Sequence, residues 1–348
     1  MKKRVVFTVL GSLLWLSCGN NHDMMYRPEY QYPSYTKDMQ VPTGERGETF
    51  KEIKENPFVE VSSQPVSTFS VDVDRAAYSN IRRMIQQGTL PPKDAVRIEE
   101  MINYFDYDYP TPDAQTPSPL RVSYEQAPAP WNTTHQLLRI GLKTKPLDLS
   151  NTPPSHLVFL IDVSGSMMDY NKLPLLKSSL KLLLQNLKPQ DKVSIVTYAS
   201  GTQVALEPTS VREREKIEKV LDGLEAGGAT SGEQGIQLAY EQAHKAFIKG
   251  GNNRIILATD GDFNVGINNP NDLKAFIEKQ REGGVYLSVL GFGMGNYRDD
   301  MSETLADSGN GNYAYIDNLT EAKKVLVNEF GGTLFTVAKD VKLQIEFN

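Results

Sequence analysis

The chain has 348 residues, enough for more than one folded unit, and 39% hydrophobic side chains, an ordinary content for a globular protein. Its 43 acidic residues outnumber its 37 basic ones, and a net charge of −6 argues against a nucleic-acid-binding surface. A single cysteine excludes an internal disulfide, so the fold must rest on its apolar core.

Residues 1–17 combine a basic start (Lys2, Lys3, Arg4) with a short apolar run over 5–16. That is the layout of a secretory signal peptide, and the run is too short for a membrane span. The one cysteine, Cys18, follows directly. The segment resembles a bacterial lipoprotein signal, in which the cysteine is lipidated and becomes the mature N-terminus, although Trp15 and Leu16 depart from that signal's preferred residues. The resemblance implies a lipid anchor in the cell envelope, and Gly19 after the cysteine implies the outer membrane of a Gram-negative cell. Residues 18–56 are rich in Tyr, Pro and charge without any period, which predicts a flexible tether.

Residues 57–112 read as a small α+β module. Residues 68–73 alternate like a strand, and Asp74 is placed to cap a helix over 75–87, with Tyr78, Ile81 and Ile85 on one face and Gly88 as its stop. Asp94 is likewise placed to cap a second helix carrying Val96, Met101, Ile102 and Phe105. Asp72 and Asp74 share the Asp-x-Asp spacing of some metal-bound sugar-nucleotide sites. No nucleotide-binding loop accompanies them, so capping and strand-end solvation explain the pair. Residues 113–154 supply two strands, 120–124 and 136–142, expected to pair outside any central sheet and to take residues 341–347 as a neighbour. Residues 341–347 alternate clearly, and 331–348 reads as the start of a C-terminal β-element of something longer.

Residues 155–330 alternate strand and helix. Residues 157–161 form an uninterrupted apolar run, the mark of a central strand covered on both faces. A helix follows on the spacing of Leu173, Leu176, Leu180, Leu183, Leu184 and Leu187, with Pro174 near its start. Strands at 192–198 and 202–206 are separated by so short a gap that they must form a hairpin, giving one antiparallel edge strand. Helices at 212–224, 232–248 and 272–282 alternate with strands at 254–259 and 285–292. A helix through Met301 and Leu305, a strand at 313–316 and a helix to 330, capped by Asn318 with Glu321, complete the pattern. The expected fold class is α/β: a doubly wound, mostly parallel, Rossmann-like central sheet with one antiparallel edge strand, plus the N-terminal α+β module and the outlying strands.

At the carboxyl end of the first core strand stand Asp162, Ser164 and Ser166, oxygen donors at alternate positions, with Gly165 between the last two. Ligands in open α/β sheets bind beyond such strand ends. A loop at 227–232 offers Thr230, and the run over 254–259 ends in Asp260. Two carboxylates and three hydroxyls make a hard, oxygen-only set that suits a small divalent cation. Helix capping and ordinary loop chemistry explain single members of this set, but not buried strands that end in matched donors.

With Asp162-x-Ser164-x-Ser166, then Thr230, then Asp260 followed by Gly261, the stretch 155–330 resembles the von Willebrand factor type A domain and its metal-ion-dependent adhesion site. The stretch 69–109 is similar to the module that precedes that domain in bacterial lipoproteins of the YfbK type. The resemblance implies a bound Mg²⁺, or Mn²⁺ or Ca²⁺, held by Asp162, Ser164, Ser166, Thr230 and Asp260. It also implies a protein partner whose Asp or Glu fills the open coordination position, a membrane attachment through the lipid, and no nucleic acid. Two other classes stay open: a metal-assisted hydrolase or phosphatase at the same residues, and a structural envelope protein in which the metal staples loops.

Catalysis needs a base within reach. The four histidines, His22, His135, His156 and His244, are placed in the tether, before an outlying strand, at the wrong end of the core strand, and deep in a helix. Asp169 and Asp262 are near in sequence, but as loop charges they read as solvated or capping. The chain is therefore expected not to be an enzyme.

Overall fold

The computed structural model describes residues 47–71, 73–113, 118–229, 233–261, 270–335, 337–338 and 341–347. The signal and lipidation readings, including Cys18, the greater part of the tether, Asp72, Thr230 and Asp262 lie outside the described residues.

Six strands form the central sheet: β4 (Ser155–Asp162), β5 (Lys192–Tyr198), β6 (Thr202–Ser210), β7 (Asn252–Thr259), β8 (Val285–Phe292) and β9 (Tyr313–Ile316). Their order is β6-β5-β4-β7-β8-β9, and only the β5–β6 pair is antiparallel. Every residue of β4 is buried, as its unbroken apolar run requires. Successive side chains point to opposite faces. Leu157, Phe159 and Ile161 therefore meet Leu176, Leu180 and Leu183 of α3 (Leu173–Leu184), whereas Val158 and Leu160 meet Ile236, Ala239 and Tyr240 of α5 (Glu233–Lys245). Helix α4 (Arg214–Asp222) lies on the α3 side through Ile217 and Leu221, and α6 (Pro270–Glu282) and α7 (Asp299–Ser308) on the α5 side through Leu273, Ile277 and Leu305.

From β4 the chain moves to one side of the sheet for β5 and β6, then returns across it for β7, β8 and β9. That reversal opens a crevice at the carboxyl ends of β4 and β7, where doubly wound sheets bind ligands. The expected final helix is divided into α8 (Leu319–Lys323), a π-helical turn (Lys324–Asn328) and α9 (Phe330–Leu334). Its start is as expected: Asn318 Oδ1 accepts from Glu321 N at 2.9 Å.

The N-terminal module consists of β1 (Val66–Ser70), α1 (Ala76–Gln86) and α2 (Ile98–Asn103). Two expected caps do different work. Arg75, not Asp74, holds the cap position of α1, and Asp74 Oδ1 accepts from the backbone N of Tyr313 at 2.9 Å. Asp94 lies in a short 3₁₀ turn, where its Oδ1 accepts from Ile53 N. The Ser79 hydroxyl donates to the carbonyl of Tyr315 at 2.8 Å. Side chains from this module thus satisfy the outer edge of β9, which no further strand pairs among the described residues.

A buried Arg97 joins the module to α7 through ion pairs with Glu100 and Asp299. The folded body also begins before residue 57, the expected end of the tether. Thr49 N donates to Tyr297 O at 3.0 Å, and Thr49 O accepts from Asp299 N at 3.1 Å.

Two small sheets lie apart. Among the described residues, strands β2 (Leu120–Ala129) and β3 (Asn132–Thr144) pair only with each other. Strand β10 (Lys342–Glu346) does not join them, but runs antiparallel to β1. The alternation of β10 reported a strand, and nothing local in it reports a partner more than 270 residues away.

Candidate metal centre

Asp162 is the last residue of β4, fully buried because β5 and β7 flank its strand. Its Oδ1 accepts from the backbone N of Ser164 at 2.8 Å, a short turn that aims the chain back over the strand end. The Tyr198 hydroxyl is a further hydrogen-bond partner of this carboxylate. Burial pushes the Asp162 carboxyl up to about 6, and the charge of Asp260 adds to that rise. A desolvated carboxylate is expensive unless a cation accompanies it.

Ser164 and Ser166 complete the first loop, their hydroxyl oxygens 3.0 Å apart. Gly165 is needed between them because its backbone touches the second loop: Gly165 N donates to Gly228 O at 2.9 Å, and a Cβ at 165 would lie 3.3 Å from that oxygen. Gly227 N donates to Val163 O at 2.8 Å, and Ala229 N to Ser200 Oγ at 2.8 Å. Gly228 has φ +84, a left-handed conformation in which glycine is unstrained. These bonds carry the second loop up to residue 229, beside Ser164 and Ser166, and Thr230 follows outside the described residues.

Asp260 follows β7 directly and is fully buried. Gly261 after it has φ +94, and a Cβ there would stand 2.3 Å from Arg298 N. The third loop is therefore packed against the 293–299 segment. That segment is held in turn by the N-terminal strap, where Gly295 N donates to Glu48 Oε1 at 3.0 Å beside the Thr49 bonds.

The structure thus brings Asp162, Ser164 and Ser166 together on one loop, with the charge of Asp260 close enough to bear on Asp162. Among the described residues no three of His, Cys, Asp and Glu converge, so a cation here would rest on two carboxylates, hydroxyls and water. The donor set, two buried carboxylates beside paired serine hydroxyls, fits a small, hard divalent ion.

Sequence reasoning missed Lys172. It is buried, and its Nζ lies 2.9 Å from Asp260 Oδ2. One signal was available: a lysine directly ahead of a helix beginning Leu173-Pro174 stands where cations are disfavoured. Two of the histidines lie elsewhere. His156 is at the amino end of β4, 2.9 Å from Ser194 Oγ, and His244 lies 2.7 Å from Gln280 Oε1. Asp169 is exposed.

Residues 156–328 match the family model for the von Willebrand factor type A domain, and residues 44–139 match a second model described as von Willebrand factor. The uncharacterized protein YfbK of Escherichia coli is 50% identical over 304 residues, covering 86% of this chain and 53% of that protein. The uncharacterized protein sll0103 of Synechocystis is 30% identical over 193 residues, covering 55% of this chain and 44% of that one. The chain thus spans about half the length of these relatives. Among solved structures, BatB from Bacteroides thetaiotaomicron is similar at a TM-score of 0.43 and 20% identity, over 52% of this chain and 98% of that one.

Proposed function

Because the chain is a von Willebrand factor type A domain protein related to YfbK, we propose that it is a metal-dependent protein-binding module. In this reading Asp162, Ser164, Ser166, Thr230 and Asp260 hold Mg²⁺, or Mn²⁺ or Ca²⁺, and an Asp or Glu of a partner protein completes the shell. The observation that carries it is the buried Asp162 carboxylate, set beside the Ser164 and Ser166 hydroxyls at the carboxyl end of the central strand.

A bound divalent ion supplies concentrated positive charge with a position open to an outside anion. The protein's own part is to present that charge. The buried floor of β4 and β7 strengthens every electrostatic contact made there, and the serine hydroxyls add donors without adding negative charge to that of Asp162 and Asp260. Binding is favoured over hydrolysis because the described histidines lie away from the crevice, where none is placed to act as a base. Lipidation at Cys18 would place the module on a membrane of the cell envelope.

Calorimetric titration of the purified protein with Mg²⁺, repeated with Asp162→Ala, tests the site. Saturable binding is expected in the parent and none in the variant, with circular dichroism unchanged because Asp162 lies beyond the apolar core. Full Mg²⁺ affinity in folded Asp162→Ala sinks the reading. So does a captured partner whose binding is indifferent to both EDTA and this substitution.

A further inference from the structure

We infer that Lys172 is a built-in counter-ion of this crevice, standing in for the metal at Asp260 in the metal-free domain and weakening divalent binding. The inference rests on the metal-site reading above and adds a residue that sets the affinity of that site.

Lys172 occupies the cap position of α3, where a Ser, Thr, Asp or Asn would satisfy free backbone N–H groups and where the helix dipole disfavours a cation. Its side chain makes no cap bond. With φ −119 and ψ −111, its backbone lies outside the usual extended and helical regions. Local structure therefore does not account for the residue. Its surroundings do.

The aliphatic stem runs across Gly293, just past the end of β8, in a trough that exists because residue 293 has no side chain. A Cβ there would lie 2.3 Å from Lys172 Cε and 2.8 Å from Cγ. The φ of +80 at Gly293 suits glycine for the same position. The trough delivers Nζ to Asp260 Oδ2 at 2.9 Å, with the lysine 5% exposed and the aspartate fully buried.

The two carboxylates of the crevice carry two negative charges, and the ammonium cancels one of them. An incoming divalent cation must then displace Nζ from Asp260 or accept a first shell in which that oxygen is shared. Either route lowers affinity. The same contact keeps the metal-free crevice from confronting two buried carboxylates at once, a repulsion that a low-dielectric site does not screen.

The test compares Mg²⁺ binding to the full chain and to Lys172→Met, which keeps the stem and removes the charge, with Lys181→Met at the exposed Asp222 pair as the control. Lys172→Met is expected to bind Mg²⁺ at least tenfold more tightly, and the control to match the parent. Equal or weaker binding by folded Lys172→Met overturns the inference while leaving the metal site intact. Absence of Mg²⁺ binding in both proteins overturns the metal-site reading and this inference with it.

A second measurement needs no variant that must fold. In protein carrying ¹⁵N-lysine, the solvent-protected Nζ resonance is expected to shift or vanish as Mg²⁺ saturates the site. A protected resonance that Mg²⁺ leaves unchanged overturns the inference.

Discussion

Lowering the pH isolates one buried group. His156 lies wholly inside the sheet at the amino end of β4, its Nε2 2.9 Å from Ser194 Oγ. Burial holds the imidazole down, from 6.5 to about 4, with the charge of Lys192 acting in the same direction. In the unfolded chain the ring takes a proton near 6.5, whereas the folded protein refuses it until about 4. Between those values the unfolded state binds more protons, so stability falls as pH drops through the window and the full contribution is present only above it. The gap of roughly 2.5, at about 1.4 kcal/mol for each pH unit, amounts to about 3.5 kcal/mol, of which about 3 kcal/mol is lost by pH 4. Urea denaturation of metal-free protein between pH 7.5 and 4, run beside His156→Gln, reads this directly, because all other groups titrate in both proteins. The parent should lose about 3 kcal/mol more than the variant across the window. Parallel pH profiles would refute the reasoning.

Other substitutions probe the joints of the fold. Arg97→Met strands Glu100 and Asp299 as buried carboxylates without their cation, and chemical denaturation should show a loss of about 3–5 kcal/mol; a loss below about 1 kcal/mol would show that the module and α7 are joined by other contacts. Gly311→Ala sets a Cβ 1.8 Å from the backbone oxygen of Leu287, so β9 must shift against β8. Its melting temperature should fall by several degrees, as for a loss of about 1–3 kcal/mol, and an unchanged melt would contradict the close approach. Cys18→Ala should move the protein from the membrane fraction to the soluble fraction after cell lysis, since no described helix is long and apolar enough to cross a membrane. Retention in the membrane after signal cleavage would indicate another attachment.

The central sheet was legible because burial on both faces writes itself into sequence: β4, β8 and β9 are unbroken or nearly unbroken apolar runs, and the short gap after Tyr198 forced β6 to be antiparallel. Asp162, Ser164 and Ser166 were legible for a different reason, since their spacing places three oxygens on one turn. Long-range ties were not. Asp74 carries the same local pattern whether it caps α1 or reaches Tyr313, and only the fold decides. Arg97 carries no local mark of its partner Asp299, which lies 202 positions away. Lys172 was missed because an ammonium is not expected among the oxygen donors of a candidate cation site.

The strap at Glu48 and Thr49 gives the domain a mechanical aspect. Its bonds to Gly295, Tyr297 and Asp299 make these two residues the last anchorage before the chain leaves the described body, and the segment they grip touches Gly261 beside Asp260 and cradles Lys172 at Gly293. Tension on the chain ahead of residue 47 would therefore load the floor of the crevice before it reached the sheet, whose strands are tied by full ladders of hydrogen bonds. Peeling the strap away would free the 293–299 segment to relax, and with it the grip on Asp260. A pull at the N-terminal side would be felt first at Gly261 and Gly293, the glycines against which Arg298 and Lys172 are packed.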